Sequence, residues 1–441
     1  MHAYATPKMG TAVPRSITIP DRVDTRIGPL AFFDGFPDDA TVERVFDNLD
    51  FQRAVQVFLV AMPAASLAAH RKALAAFGPE NGTVAIFETL MDSRSLSVTP
   101  TTEGVSAMGW LDLRLGPVVV ESPPDTRGRV DDAWLRSVDL IPGKLLFVPP
   151  GYEEAIPSGY EVFHSKTYGN LFTTRSLALG GDPRPATNAI ETHLRIYPLS
   201  MAADPPATKF VNVSGKAMST IAPMDFTFFE ELDAVVQEEP YDAVDRPTLA
   251  LLASIGIEKG SPFMPDLRMT QILSEAATVG NATARALAYR SRSKDAYVYS
   301  NSAWCTPFAA SNVTPAGSVY VAAFVDSQSR PFDGSKTYRL RLPANVPAKD
   351  CWSIVLYDNQ TRSQLQTDHP FPSISSQHNR VKANEDGSTY VWFGPVAPFG
   401  KDDNWVQTWP GKGWNVVLRL YGPLASFFDK TWRPGEIEEI T

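Results

Sequence analysis

Tyr338-Arg-Leu-Arg-Leu-Pro-Ala-Asn-Val-Pro-Ala-Lys-Asp-Cys-Trp-Ser-Ile-Val-Leu-Tyr-Asp358 is the stretch that decides the fold class. Its two ends, 338–342 and 352–357, are short runs of aromatic and branched aliphatic residues, which suit a pleated, half-buried surface. Prolines 343 and 347 divide them. Similar runs recur around this stretch: Val319-Tyr-Val-Ala-Ala-Phe-Val325, Thr389-Tyr-Val-Trp-Phe393 and Trp414-Asn-Val-Val-Leu-Arg-Leu-Tyr421. Asp333-Gly334 and Glu385-Asp-Gly387 are turn signals between them. Five or more such strands predict a jelly-roll-like β-sandwich over 295–441.

Upstream of it the pattern changes three times. Residues 207–294 read as a helical module. Asp225 can cap a helix carrying Phe228, Phe229, Leu232, Val235 and Val236, and Asp266 opens a longer one with Met269, Ile272, Leu273, Ala276, Val279, Thr283, Ala286 and Leu287 along a stripe. Before it, 83–206 returns to short strands: Thr83-Val-Ala-Ile-Phe87, Trp110-Leu-Asp-Leu-Arg114, Val118-Val-Val-Glu121, Lys144-Leu-Leu-Phe-Val148 and Asn170-Leu-Phe-Thr-Thr-Arg175. Pro/Gly turns between them suggest a second β-sandwich. Residues 1–82 are an extended arm followed by a helical preface. There Asp38 or Asp39 can cap a helix bearing Val42, Val45, Phe46 and Leu49, and Pro63 divides two further helical pieces.

The totals narrow the function classes. A chain of 441 residues with 44% hydrophobic and 20% charged residues can bury large cores without metals or disulfides. A net charge of −9 disfavours a nucleic-acid partner. No apolar run reaches the ~18 residues that cross a bilayer. The N-terminus shows no signal-peptide core, which predicts a cytoplasmic protein, or a secreted or periplasmic one whose signal has been removed. Cys305 and Cys351 are two thiols or one disulfide, and the sequons at Asn81, Asn212, Asn281, Asn312 and Asn359 are too short to decide. The six histidines form no His-x-x-x-His, there is no Cys-x-x-Cys, and no phosphate-cradling glycine loop is present. No metal and no cofactor are therefore expected.

Three groups of motifs carry a resemblance. The first is Ile196-Tyr-Pro-Leu-Ser200, Lys209-Phe-Val-Asn-Val-Ser-Gly-Lys216 and Ile255-Gly-Ile-Glu-Lys-Gly-Ser-Pro-Phe-Met-Pro-Asp266. The second is Trp110-Leu-Asp-Leu113, Gly116-Pro117 and Asp131-Asp-Ala-Trp-Leu-Arg136. The third is Trp352-Ser-Ile-Val-Leu-Tyr-Asp358, Asn384-Glu-Asp-Gly387 and Leu418-Arg-Leu-Tyr421. Together they resemble the bacterial, viral and fungal proteins that pair the domains of unknown function numbered 1254 and 1214. The resemblance implies an immunoglobulin-like N-terminal sandwich, a helical domain and a jelly-roll-like C-terminal domain, and no assigned activity. Those relatives commonly read Thr-Pro-Asn-Thr-Asp-Thr-Val-Tyr where this chain has Thr99-Pro-Thr-Thr-Glu-Gly-Val-Ser106. They also usually carry a glycine-rich insertion where Val138-Asp-Leu-Ile-Pro-Gly-Lys144 runs directly. A cleft bordered by these segments would differ from the common form, which points to a specialised substrate.

Several constellations could carry chemistry. On a continuous strand Asp132, Trp134 and Arg136 would share one face, offering acid, ring and guanidinium to a polar or aromatic ligand, or forming a structural pair over a tryptophan. Glu103, in a threonine-rich turn, could be a general acid or base, alone or with Asp132. His164 and Tyr168 would share a face with Lys166 and could exchange a proton. Asp112 between Trp110 and Arg114 reads as structural. Trp352, Tyr357, Trp405 and Arg419 are further substrate-contact candidates, the loop tryptophan by ring stacking. Trp304 belongs to the same tryptophan-rich C-terminal region. The function this predicts is a metal-independent hydrolase or lyase/cyclase. It would use acid/base side chains on a small polar or aromatic-containing substrate in an interdomain cleft. The alternatives are a non-catalytic carbohydrate or small-ligand binder and a self-associating structural protein, with homo-oligomers compatible with each.

Overall fold

The computed structural model describes residues 8–124, 127–290, 317–377 and 381–440, and the backbone of 297–300. Trp304, Cys305, Asn312 and His378 lie outside the described residues, so the thiol-or-disulfide alternative stays open, with Cys351 buried. The molecule is mainly β with helices, in several open sheets.

The N-terminal β-region pairs two sheets. One has six strands in the order Lys209–Asn212, Thr83–Ile86, Gly104–Asp112, Gly169–Leu177, Arg127–Asp132, Ser137–Asp139. The other has four, in the order Glu161–His164, Gly143–Val148, Val118–Ser122, Arg195–Pro198. Strand alternation sorts their residues. Val105, Ala107, Val130 and Phe172 of the larger sheet face a core shared with Val118, Val120, Leu145 and Phe147 of the smaller. The opposite face of the larger sheet carries Met108, Trp110 and Leu171, packed beneath Leu67 and Leu74. Lys209–Asn212 pairs in parallel with Thr83–Ile86, so the β-region extends past residue 206 into the segment that reads as helical.

Helices from both sides of this region form one layer, and one helix lies apart on the N-terminal core. α1 (Asp39–Val60) runs unbroken, and α2 (Met62–Ala75) follows it after a bend of 56°. Asp38 caps α1 by accepting from Thr41 N at 2.8 Å. α3 (Arg184–His193) closes the N-terminal core, and α4 (Thr227–Glu238), α5 (Arg246–Ala253) and α6 (Leu267–Tyr289) pack on α1. The buried side of α1 is Ala54, Val57 and Phe58, whereas Val45 and Phe46 are exposed. On α6 it is Leu273, Ala276, Ala277, Gly280, Ala284 and Ala288, which leaves Val279 and Leu287 exposed. Small residues let the two helices approach: a Cβ on Gly280 would sit 2.5 Å from the Phe58 ring. Among the described residues no single helix is long and apolar enough to cross a membrane.

The C-terminal β-region also pairs two sheets. The larger has the order Tyr297–Ser300, Ser318–Ala323, Gly413–Pro423, Ala348–Asp358, Ser373–Ser375, with Phe332–Asp333 also paired to Gly413–Pro423. The smaller has the order Trp405–Gln407, Thr389–Gly394, Thr337–Leu342, Glu438–Ile440. Val319, Val321, Trp352, Ile354, Leu356, Trp414, Val416, Leu418 and Leu420 turn into the core between them. Their neighbours Tyr320, Ala322, Val355, Tyr357 and Val417 turn the other way, towards the N-terminal region.

Candidate functional site

The outward faces of the two larger sheets enclose a cavity of about 500 Å³. Ser106, Met108, Leu171, Thr173, Arg175, Arg127, Arg129 and Asp131 form the N-terminal wall. Ser318, Tyr320, Ala322, Asn415, Val417 and Arg419 form the C-terminal wall. His70 of α2, Ala288 and Tyr289 of α6, the segment 97–101 and Arg362 complete the lining. Strand parity explains the selection. Positions 127, 129 and 131 face the cavity while Val130 faces the core, and Asn415, Val417 and Arg419 alternate with Val416 and Leu418.

The segment 97–101 fastens one β-region to the other. Thr99 O and Pro100 O accept from Arg419 Nη2 at 2.5 and 3.1 Å, and Pro100 O also accepts from Tyr357 Oη at 2.6 Å. Thr101 Oγ1 lies 2.5 Å from Tyr421 Oη. Thr99 N donates to Arg362 O at 2.9 Å. Both Thr99 (φ 45°) and Arg362 (φ 62°) adopt left-handed backbone. That conformation is strained for a residue with a Cβ, and most of all for a β-branched threonine. Strain of this kind persists where tertiary contacts over-determine it.

Charge on the two walls is arranged differently. On the N-terminal wall Arg129 Nε pairs with Asp131 Oδ2 at 2.8 Å, and Ser137 Oγ donates to Asp131 Oδ1. Burial raises the Asp131 carboxyl above its ordinary range, against the pull of Arg129 and Ser137. Nearby, His70 Nδ1 is 2.8 Å from Ser66 O. A carbonyl only accepts, so Nδ1 carries the hydrogen; burial holds the ring neutral by lowering its pKa, helped by the charge of Arg129. Nε2 is then the basic nitrogen.

The C-terminal wall is cationic. Arg419 is 4% exposed, and its Nη2 donates to two carbonyls and to Tyr357 Oη at 2.7 Å. Its guanidinium lies over the Tyr320 and Tyr357 rings at 5.0 and 5.9 Å. Arg362 is 6% exposed, and burial lowers its pKa, with Arg285 adding like charge. Arg175 reaches across from the N-terminal strand to the Tyr421 ring, 6.0 Å away. Burial pushes the Tyr320 phenol up, yet Arg419 and Arg175 outweigh it and the pKa falls below the ordinary value. A buried phenol titrating low reports a positive local potential.

Of the residues singled out from the sequence, Arg419 lines this cavity and Tyr357 touches Arg419. Glu103 is elsewhere. It is buried at the domain junction, accepting from Thr102 Oγ1 (3.1 Å), Ser375 Oγ (2.6 Å) and Gln377 Nε2 (3.1 Å). Asp132 accepts from Trp134 N, Arg136 N and Arg136 Nε, at 2.9, 2.9 and 2.5 Å. The shared strand face expected for Asp132, Trp134 and Arg136 does not exist. The strand ends at Asp132, Leu135 takes φ 64°, and the chain turns with Asp132 N donating to Arg136 O. Trp134 packs against the helical layer. His164 is exposed at the end of its strand, and bends at 166–168 remove the face it would share with Tyr168. Tyr168 N instead donates to Glu239 Oε2 at 2.6 Å. Trp352 is in the C-terminal core, and Trp405 donates its Nε1 to Gly394 O at 2.9 Å. Asp112 and Arg114 form the structural pair expected of them, Nε to Oδ1 at 2.9 Å.

The cavity residues missed from the sequence left one signal. Arg127-Gly-Arg-Val-Asp131 places charge at alternate positions around a core valine, the mark of a strand with one charged face. His70 and Arg362 left none. Among the described residues no three His, Cys, Asp or Glu side chains converge as a metal site.

Comparison with known proteins agrees with the resemblance. Residues 82–198 match the family described as protein of unknown function (DUF1254), and residues 317–425 match protein of unknown function (DUF1214). The pairing and its order are those the motifs imply. No curated protein matches the chain. The crystal structure of the VPA0106 protein from Vibrio parahaemolyticus is similar, with a TM-score of 0.57 and 19% identity over 89% of this chain and 100% of that one. This shows a shared fold. An uncharacterized protein from Burkholderia cenocepacia aligns at a TM-score of 0.45 and 13% identity, over 91% of this chain and 97% of that one.

Proposed function

We propose that this chain, which belongs with the proteins that pair the 1254 and 1214 domains of unknown function, is an enzyme acting on a small molecule in the interdomain cavity by acid/base chemistry. The observation that carries the reading is the N-terminal wall: a buried neutral imidazole, His70, beside the Arg129–Asp131 pair. His70 Nε2 takes a proton from the substrate or from water. The imidazolium then gives that proton back to the leaving group, and the Asp131 carboxylate, held by Arg129, offsets its charge meanwhile. Hydrolysis, elimination and cyclisation all fit such a pair.

These roles replace Glu103 and Asp132, whose oxygens are occupied by structural donors. The test is a mass-spectrometric screen of esters, lactones, amides and hydroxy acids. Turnover by the wild-type chain is expected to fall by roughly 10²–10⁴ in His70→Gln, the usual worth of a general base. Equal turnover in His70→Gln and Asp131→Asn would remove both residues from the chemistry.

A ligand-binding protein without turnover is the second reading, favoured by the apolar share of the lining, including Met91, Met108, Leu171, Phe324 and Val417. Saturable binding with no product across the screen would select it. For the fold, the finer reading is an immunoglobulin-like N-terminal sandwich and a jelly-roll-like C-terminal one. The facing sheets and shared core of each region support that reading.

A further inference from the structure

We infer that the molecule held in this cavity is an organic anion, an acid group on an apolar body, whose charged end docks on Arg362 and Arg419. The inference rests on the reading of the cavity as a small-molecule site and adds the class of molecule.

Two buried guanidiniums on one cavity have no carboxylate partner among the described residues. Arg362 Nε donates to Thr361 O at 3.3 Å, and its buried Nη1 meets no acceptor among those residues. Arg419 spends Nη2 on Thr99, Pro100 and Tyr357, and its buried Nε likewise meets none. A charge out of water without a counter-charge is costly, and buried guanidiniums are ordinarily paired. The carboxylates on the lining do not answer this need: Asp131 belongs to Arg129, and Asp139 is exposed on the far wall. A ligand carboxylate, sulfonate or phosphate would take the open N–H groups and supply the charge.

The shape of the surroundings points the same way. Arg362 and Thr99, joined by their backbone bond, are both held in left-handed conformations, so the docking end is built at the expense of local strain. The apolar part of the lining, with Met91, Met108, Leu140 and Phe324, calls for a body behind the charge, which a free inorganic ion lacks.

Calorimetric titration of the full chain with 4-phenylbutyrate, its neutral amide, phenyl phosphate and inorganic phosphate tests the assignment. The acid is expected to bind about tenfold or more tighter than the amide, the ratio that charge-assisted hydrogen bonds supply. In Arg362→Gln that advantage is expected to shrink to about threefold or less, with amide affinity unchanged. Arg419→Lys, which keeps a donor for the segment 97–101, serves as a second variant and is expected to reduce the advantage too. Phenyl phosphate separates a phosphoryl head from a carboxylate head, and tight binding of either organic anion with the Arg362 dependence supports the inference. Four results overturn it: equal affinity for acid and amide, an advantage undiminished in both variants, inorganic phosphate binding as tightly as the organic anions, or no organic anion binding at millimolar concentration. His70→Gln separates this inference from the enzymatic one. Turnover unchanged in that variant, with the anion preference retained, would defeat the chemistry and leave the docking intact; turnover lost in it, in a chain that binds acid and amide equally, would support the chemistry and defeat the docking.

Discussion

The two walls of the interdomain cavity are built alike and charged unlike. Each is the outer face of a sheet whose inner face makes a core; the N-terminal wall carries Arg127 and Arg129 at alternate strand positions, and the C-terminal wall carries Arg419 on a strand and Arg362 in the loop beside it. On the N-terminal wall Arg129 meets Asp131. On the C-terminal side Arg362 and Arg419 meet carbonyls, a hydroxyl and tyrosine rings, but no carboxylate among the described residues. The lesson is that a buried arginine already neutralised by its own chain supports structure or catalysis. One left without an anion is poised for a ligand.

Substitution by methionine should separate the walls most sharply. Arg129→Met strands a buried carboxylate and is expected to cost about 3–5 kcal/mol in chemical unfolding. Arg362→Met removes a charge that the protein does not neutralise, and is expected to be neutral or stabilising, by up to about 1 kcal/mol. Equal losses from the two would erase the distinction.

Next in size is a titration beneath the N-terminal wall. Glu239 accepts from Tyr168 N and Gly169 N, yet burial pushes its pKa up from 4.5 to about 7. The folded state therefore favours the protonated acid. The resulting stabilisation is full below pH 4.5 and is lost as pH rises through about 7. Its size is on the order of 3 kcal/mol. Unfolding free energy measured across that window should fall with pH in the wild-type chain and flatten in Glu239→Gln. Because Glu239 is not part of the lining, anion binding in the cavity should be unaffected by that substitution. The smallest effect on stability, within about 0.5–1 kcal/mol, is expected from Ser106→Tyr, a half-buried position on the cavity wall. The new ring would occupy cavity volume, and probe binding should weaken strongly in titration while the unfolding midpoint barely moves.

Much of the local structure was legible in the sequence, and the site was not. Asp38 and Asp266 cap the helices they precede, and Trp110, Leu145, Trp352 and Trp414 lie on strands. These depend on neighbours a few residues apart. Asp131 and Asp132 show where local reading stops. They are adjacent on one strand, so one faces the cavity side and the other does not. Choosing between them requires knowing that Val130 is core and that the strand ends at Asp132. His70 was illegible for a different reason, since its helix is apolar on several sides and only the packing of α2 on the sheet brings it to the cavity.

The sequence by itself determined that the chain is mainly β with helices, the paired family and the turns at Asp333-Gly334 and Glu385-Asp-Gly387, because backbone conformation answers to side chains close along the chain. The tertiary structure alone decided that Thr99 and Pro100 would meet Arg419, some 320 positions away, and that Arg362 would close the same cavity. Strand periodicity fixes which face a residue takes. Only the docking of one finished sheet against another determines what that face will meet.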